Sequence, residues 1–317
     1  MSRTFVILTP SYQRINTLPR LYESLCRQSY KNFRWLIVDD GSNDGTEALI
    51  NSYIEEGKID IEYHWKENGG KHTAFQEALN YINEDLYKYV VPADSDDTLT
   101  DNALEIFKYH WDDIFSKGNK NNIGYIKSRC VRSSSGLQFP YKTPNEKYID
   151  TTYQYVTFQL GDFCEYDSCA TLDAFRNYSI APKCFWLSDR QKFSYFSEGI
   201  LWARAGHRVG FRYIPDVTRV YYEDAPNSLV RTFTPNYKGL YPRFVHVKYV
   251  LPENFDMFLK YQRIRMLKML ILYTTCWYLL DVSWKECFCE LNNNFLRLCF
   301  ILLTPFSPIM AFLFKKR

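Results

Sequence analysis

The 317-residue sequence is short of the features that define several protein classes. Its 13 glycines and 13 prolines are too few for a collagen-like or low-complexity chain. It has neither the Walker phosphate-binding lysine motif nor a GxGxxG turn, which argues against ATP hydrolysis and dinucleotide redox chemistry. A formal net charge of +3 predicts no nucleic-acid partner.

Cysteine is present without the spacing of a disulfide framework or a zinc site. The nine cysteines are an odd number and contain no CxxC pair. The apolar run at the N-terminus is too short for a signal peptide and predicts a first strand instead. Together these features predict a cytoplasmic protein with free thiols.

The composition is otherwise that of a globular protein, with 46% hydrophobic residues, 24% charged residues and an aromatic content of 18%. The charge is uneven, because residues 241–317 carry a net +6 and the remainder a net −3. Residues 298–314 have no charged side chain and contain two prolines. A membrane-spanning helix needs about 20 residues, so we expect 298–314 to lie in a membrane interface or to re-enter it. A buried helical cap is the alternative.

Short β-rich runs alternate with helical patterns over the first 110 residues or so, which predicts a parallel α/β sheet. The strands predicted there span 4–9, 33–38, 59–65 and 87–93. Further along, 209–214 and 218–222 are predicted as two strands, and 257–280 as one long helix. We therefore expect an α/β domain over 1–225 and a helical, membrane-associating region over 226–317.

Three acidic or glycine-rich clusters follow successive predicted strands. They are Asp39-Asp40-Gly41-Ser42, Asn68-Gly69-Gly70-Lys71 and Asp94-Ser95-Asp96-Asp97. Each cluster alone is typical of an ordinary turn. Because ligands of open parallel sheets bind outside the carboxyl ends of the strands, the ordered set predicts a nucleotide site at one sheet edge.

The third cluster also predicts a divalent cation. Three carboxylates within four residues repel one another unless a cation neutralises them. Oxygen ligands suit Mg²⁺ or Mn²⁺ better than zinc, and such an ion typically bridges diphosphate oxygens. The alternative is a capping cluster for the helix that begins near Asp101.

These clusters, together with Thr9-Pro10-Ser11-Tyr12-Gln13-Arg14 and Glu67 to His72, resemble the motifs of family 2 glycosyltransferases. The resemblance covers about residues 1–225 and leaves the tail uncovered. It implies the GT-A fold, in which a mostly parallel central sheet flanked by helices binds a nucleotide-diphospho-sugar.

The resemblance also implies a role for each matching residue. Thr9 and Tyr12 would line the nucleotide pocket, and Asp39 or Asp40 would accept a hydrogen bond from the base, commonly uracil. Lys71 would contact base or phosphate. The DxD motif would place Asp94 at the ribose and Asp96 at the metal, with Asp94 as a further metal ligand. Two further donor contacts are expected, from Ser95 and Arg231.

The family usually places its catalytic base in an acidic pair at the start of a helix. The best match is Ser197-Glu198-Gly199, so the resemblance implies that Glu198 is the base. The second acid of the pair is Gly199 here, which departs from the family pattern. The alternative base is Asp189.

The resemblance implies an inverting, metal-dependent transfer of a single sugar, since the QxxRW motif of processive members is absent. We expect a nucleotide sugar, and among these a UDP-sugar, as donor. The expected acceptor is a glycan or polyprenyl-linked molecule at the cytoplasmic membrane face, in cell-surface polysaccharide synthesis. Two alternatives remain open. One is an inactive sugar-nucleotide sensor or membrane scaffold, and the other is a sugar nucleotidyltransferase.

Overall fold

Strands β1 (Phe5–Ser11) and β2 (Phe33–Asp39) consist almost entirely of buried residues, as expected for parallel strands covered on both faces. The computed structural model of the protein describes residues 4–181, 197–224, 237–280 and 282–315. The other strands are β3 (Ile61–Trp65), β4 (Tyr89–Pro92), β5 (Thr98–Leu99), β6 (Ile123–Arg132), β7 (Ile149–Thr151), β8 (Tyr166–Thr171) and β9 (Gly210–Tyr221).

The helices of the first two thirds are α1 (Leu18–Cys26), α2 (Thr46–Glu56), α3 (Lys71–Ala78), α4 (Ala103–Ser116), α5 (Leu172–Ala174) and α6 (Gly199–Ala205). Two π-helical turns, Tyr155–Gln159 and Phe175–Ser179, complete this part. The C-terminal helices are α7 (Tyr237–Glu253), α8 (Phe255–Tyr261), α9 (Arg263–Leu280), α10 (Trp284–Glu290), α11 (Asn294–Leu303) and α12 (Ser307–Lys315).

The described residues form one nine-stranded mixed sheet in the order β3-β2-β1-β4-β8-β6-β9-β5, with β7 paired to β9. Strands β1 to β4 are parallel to one another. Beyond β4 the sheet turns antiparallel at β8. The predicted α/β fold is confirmed, and the parallel half brings the carboxyl ends of β1, β2 and β4 to the same edge.

Three of the predicted elements, two strands and one helix, differ from those in the structure. The two strands predicted at 209–214 and 218–222 form the single strand β9. The single helix predicted over 257–280 is broken at Gln262, whose backbone leaves the helical region. Its side-chain amide donates to the carbonyl oxygens of Thr157 and Phe158 at 2.8 and 2.9 Å. These bonds fix the break against the 155–159 turn.

The C-terminal helices share a core with the α/β part. Two hydrophobic clusters line the two faces of the sheet. The third joins Ile200 and Leu201 of α6 to Phe244 of α7 and Leu270 of α9. The boundary near residue 225 therefore stays a prediction, because the helices on either side of it pack into one cluster.

The apolar tail forms a nearly continuous helix, not a re-entrant hairpin. Helix α11 continues through a 3₁₀ turn, Thr304–Phe306, into α12. Pro305 and Pro308 fall in the first turns of these segments, where proline costs no hydrogen bond. Among the described residues, one stretch, Asn294–Leu313, is long and apolar enough to cross a membrane by length and composition.

Candidate active site

Asp40, after β2, is held by the turn that follows β3. Its carboxylate accepts hydrogen bonds from the backbone nitrogens of Gly69 and Gly70 at 2.9 and 2.6 Å. It also pairs with Lys66 Nζ at 2.7 Å and accepts from the Thr73 hydroxyl. The side chain is almost completely buried. In this structure Asp40 therefore joins two motifs to each other.

The two motifs fit only because Gly41 carries no side chain. Gly41 has φ +88°, and a Cβ there would lie 2.9 Å from the backbone nitrogen of Asn68. The Asn68 side-chain amide in turn donates to the Asp40 carbonyl oxygen at 2.8 Å. The Asp39–Ser42 and Asn68–Lys71 segments thus form one compact unit.

The other residues predicted at the nucleotide lie in different surroundings. Asp39 is buried and accepts from the Ser42 backbone nitrogen and the Tyr63 hydroxyl, at 2.8 and 2.9 Å. The buried Thr9 hydroxyl accepts from the Trp35 indole nitrogen at 2.9 Å, so in this structure it belongs to the core. Tyr12 is half exposed. The nucleotide contacts of all three stay predictions.

Lys71 links the DxD motif to Glu198. As the first residue of α3, it donates to Asp94 Oδ1 at 2.7 Å and to Glu198 Oε1 at 3.0 Å. Glu198 lies 127 positions away in sequence, immediately before α6. The structure therefore brings together three residues that the sequence placed in separate motifs.

The charges of this group act on one another. The positive charge of Lys71 lowers the pKa of Glu198, against the opposing effect of burial. Burial raises the pKa of Asp94, but Lys71 and Arg219 outweigh it and bring that pKa down to about 2. Both carboxylates are therefore ionised at neutral pH.

The remaining acids of the DxD segment differ in exposure. Asp97 is buried, accepts from the Tyr222 backbone nitrogen at 2.8 Å, and has its pKa raised by burial to about 7. Ser95 is buried as well. Asp96 retains 23% of its side-chain exposure, with Arg14 Nη2 at 3.9 Å. Burial and the charge of Asp94 raise the pKa of Asp96.

Arg219 is a buried cation that sequence reasoning missed. It extends from β9 and contacts Glu165 at 2.5 Å, Asp97 at 3.5 Å and Asp94 at 3.6 Å. Part of the repulsion within the acidic cluster is therefore neutralised by the protein itself. The signal for Arg219 in the sequence was an arginine inside an apolar strand, which requires a buried partner.

Lys71, Asp94, Glu198 and Arg219 line a cavity of about 440 Å³. It runs from Lys71 and Asp94 past Glu198 to side chains of β6, α6, α7 and α9. We call the segments 39–42, 68–71 and 94–97 the motif edge. We call Lys127, Glu198, Trp202, His246 and Arg265 the far wall. Apart from Glu198, the far wall was not predicted as a site, because its members lie in no common motif.

Gly199, which stands where the resemblance implies a second acid, packs against His246. A Cβ at Gly199 would lie 3.2 Å from His246 Cε1, so the glycine leaves room for helix α7 to approach. His246 Nδ1 lies 2.8 Å from the Ser197 hydroxyl, one residue before Glu198. Burial, followed by the charge of Arg265, lowers the pKa of His246 to about 4. A neutral histidine thus packs against the position at which the resemblance implies a second acid.

Two predicted residues, the alternative base Asp189 and the diphosphate contact Arg231, lie outside the described residues. Over the residues that are described, no group of three or more His, Cys, Asp or Glu side chains is arranged to hold a metal ion. The eight cysteines found in those residues are free thiols.

The sheet and its acidic edge define a GT-A glycosyltransferase. A family model described as Glycosyl transferase family 2 matches residues 6–170, just over half of the chain. The chain belongs to glycosyltransferase family 2. The predicted enzyme class is therefore confirmed.

Bacterial relatives match about half of the chain. An uncharacterized glycosyltransferase of Rickettsia typhi is 29% identical over 143 residues, which are 45% of this chain and 41% of that protein. One of Mycoplasma genitalium is 23% identical over 208 residues, 59% of this chain and 68% of that protein. The chain thus spans about two fifths of the Rickettsia relative.

Solved structures with the same fold cover nearly the whole chain. S. aureus TarS 1–349 in complex with UDP-GlcNAc has a TM-score of 0.60 at 12% identity, covering 97% of this chain and 88% of that one. The mannosyltransferase PcManGT from Pyrobaculum calidifontis, with GDP-Man and Mn²⁺, has a TM-score of 0.50 at 13% identity, covering 99% and 87%. These similarities show the fold alone.

Proposed function

We propose that the protein transfers one sugar from a nucleotide sugar to an acceptor hydroxyl, with inversion at the anomeric carbon. The observation that carries the proposal is the Lys71 bridge between Asp94 and Glu198. It joins a DxD carboxylate to an ionised carboxylate within one cavity. A direct displacement needs these two functions side by side, one at the leaving group and one at the nucleophile.

The donor we propose is a UDP-sugar bound along the motif edge. The half-exposed Tyr12 is available to pack against the base or ribose. A neighbour of the same fold was solved with UDP-GlcNAc and another with GDP-Man. The fold therefore accommodates both nucleotides, and the choice of uridine rests on the family resemblance.

A divalent cation fits the DxD segment. Asp96 keeps an accessible carboxylate, and among the described residues Arg14, at 3.9 Å, is its only ion-pair partner. A nearby cation would favour the ionised form that Asp94 disfavours. We propose that Asp96, with Asp94, holds Mg²⁺ or Mn²⁺. When bound, the ion would supply charge stabilisation to the departing diphosphate.

The far wall supplies the base. A Glu198 oxygen takes the proton of the acceptor hydroxyl as that oxygen bonds to the anomeric carbon. The bond from this carbon to the diphosphate oxygen breaks, and the electron pair leaves with the nucleoside diphosphate. A single displacement inverts the anomeric configuration. Lys71 orients Glu198 and keeps it ionised before the acceptor binds.

We propose that the enzyme works at the cytoplasmic face of a membrane, on a glycan or polyprenyl-linked acceptor in cell-surface polysaccharide synthesis. One side of α11–α12 packs inward through Leu296, Phe300 and Ala311. The other side exposes a set of large apolar residues: Leu298, Ile301, Leu302, Phe306, Ile309, Phe312 and Leu313. A helix with one packed face and one exposed apolar face favours lying in the interface over spanning the bilayer.

Release of UDP from a panel of UDP-sugars tests the function. We expect release from at least one UDP-sugar, loss of release on chelation, and recovery with Mn²⁺ or Mg²⁺. Binding without any release, in the presence of membrane extract as an acceptor source, would indicate a sugar-nucleotide sensor or scaffold. Formation of a UDP-sugar from UTP and a sugar phosphate would indicate a nucleotidyltransferase.

Co-sedimentation with vesicles tests the membrane proposal. We expect the full chain to bind vesicles containing phosphatidylglycerol, and Phe312→Glu to weaken that binding about tenfold, because it places a charge on the exposed apolar face. Ile54→Glu, at an exposed apolar residue of α2, is the matched control and should bind like the wild type. Equal binding by all three proteins would contradict the proposal.

A further inference from the structure

The cavity contains more cationic side chains than its ion pairs use. Four basic residues line it: Lys71, Lys127, Arg219 and Arg265. Lys71 pairs with Asp94 and Glu198, and Arg219 pairs with Glu165. Among the described residues, no acid forms an ion pair with Lys127 or Arg265.

The other cavity acids have partners of their own. Asp167 accepts from the Thr218 hydroxyl at 2.6 Å. Asp162 accepts from the Lys142 backbone nitrogen at 2.6 Å and from the Tyr166 hydroxyl at 2.9 Å. Glu198, Glu165 and Asp167 act on Lys127 only through their charges, and among the described residues none of these acids forms an ion pair with Lys127 or Arg265. A buried cation without an acid partner is costly, so two of them in one cavity require an explanation.

Lys127 is 5% exposed, and its ammonium lies 3.3 Å from the centre of the Trp202 ring. Trp202 follows Glu198 by one helical turn, so the two side chains share a face of α6. Burial lowers the pKa of Lys127 to about 8. The ammonium thus lines the cavity beside the proposed base with an aromatic ring in place of a carboxylate.

Arg265 also lines the cavity and, like Lys127, lies against an aromatic ring. Its guanidinium lies over the Phe163 ring, 3.8 Å from the ring centre, and among the described residues its one side-chain hydrogen bond, to the Gln262 amide oxygen, is long at 3.4 Å. Burial lowers its pKa. A stacked guanidinium leaves its in-plane donors free for a bidentate anion.

A chain of contacts leads from the DxD motif through Glu198 to Arg265. Asp94 contacts Lys71, Lys71 contacts Glu198, and the neighbouring Ser197 contacts His246. The charge of Arg265 in turn contributes to the lowered pKa of His246. The proposed leaving group lies at the Asp94 end, so the opposite end belongs to the acceptor.

We propose that Lys127 and Arg265 form an anion subsite that takes a phosphate or carboxylate group of the acceptor. This inference rests on the proposed function, since it treats Glu198 as the boundary between donor and acceptor. The same chemistry would fit a second source, the carboxylate of an acidic donor sugar. The test below separates the two sources.

The test measures binding to the full chain saturated with UDP and Mn²⁺, by calorimetry. The probes are glucose, glucose 6-phosphate and glucuronic acid, which share a ring and differ in charge. We expect the wild type to bind the two anionic probes at least about tenfold more tightly than glucose, as charge-assisted hydrogen bonds would provide. Lys127→Gln and Arg265→Gln should each reduce this preference at least threefold, and Arg265→Lys should restore part of it.

Arg263→Gln is the matched control, because Arg263 lies on the same helix, is exposed, and is absent from the cavity. It should keep the full preference. Each variant is first compared with the wild type by thermal unfolding and by its affinity for UDP. A loss of UDP affinity in Arg265→Gln would assign the guanidinium to the donor diphosphate and overturn the proposal.

Two further results would overturn the inference. One is a wild type that binds the anionic probes no better than glucose, including no detectable binding. The other is a preference for UDP-glucuronic acid over UDP-glucose that disappears in Arg265→Gln, which would place the anion on the donor. Neither result depends on turnover. Failure of the proposed function would appear instead as absent UDP release in the donor panel.

Discussion

The motif edge, which contributes Lys71 and Asp94 to the cavity, and the far wall on the same cavity are built in different ways. The motif edge consists of short segments whose groups bond mainly to one another, as Asp40 does with Gly69 and Gly70. The far wall draws one or two residues from each of several elements, from β6 to α9, and its cations contact rings instead of acids. Within the motif edge Asp40 is satisfied by the protein itself and Asp96 keeps an accessible carboxylate, whereas the far wall has two cations without an ion-pair partner among the described residues.

This difference explains which parts the sequence predicted. Asp39, Asp40, Lys71 and the DxD acids were found because each follows a predicted strand, and parallel strands end at one edge. Their detailed roles were not found, since hydrogen bonds such as those of Asp40 depend on how two turns meet.

The far wall was missed apart from Glu198. His246 and Arg265 belong to helices outside the matched family region, and tertiary packing brings them to the cavity. The helix break at Gln262 could not be predicted either, because the surrounding residues favour a helix and a tertiary contact ends that helix. Local patterns predict local structure, and this wall is made by contacts between distant segments.

The largest expected effect is on the rate of sugar transfer, from a substitution at Asp96 in the motif edge that should not reduce stability. Asp96→Asn should lower sugar transfer by about 10²- to 10³-fold, because it removes the accessible carboxylate proposed for the metal. Its free energy of unfolding should stay equal or rise slightly, since a repulsion with Asp94 is removed. Steady-state UDP release and urea unfolding measure the two quantities.

The distinction between a functional Asp96 and a structural Asp40 would be contradicted if Asp96→Asn unfolded the protein or left transfer intact. The first result would make Asp96 structural, like Asp40. The second would remove it from the donor site.

Asp40→Ala should destabilise the protein by about 3 kcal/mol, because two backbone N–H groups and Lys66 lose a buried acceptor. The midpoint of urea unfolding is the measurement, with Asp96→Asn as the reference for removing a carboxylate from the same edge. A loss of stability below about 1 kcal/mol would mean that the two turns hold together without Asp40.

The smallest expected effect concerns the far wall and pH. The pKa of His246 lies near 4 in the folded protein, below the ordinary 6.5, so the unfolded chain binds more protons between these values. Stability is therefore present above pH 6.5 and is lost as pH falls toward 4, by on the order of 2 kcal/mol. His246→Asn should flatten this part of the stability curve measured by urea unfolding. Parallel curves for the two proteins would show that His246 is not held neutral.

The base assignment is tested most directly by single-turnover transfer in two variants, once an accepting substrate has been found. Glu198→Gln should lose at least about 10²-fold in the rate of transfer while binding the UDP-sugar as the wild type does. Asp189→Asn, prepared in parallel, should transfer at close to the wild-type rate. The reverse pattern, with Glu198→Gln active and Asp189→Asn inactive, would contradict the account.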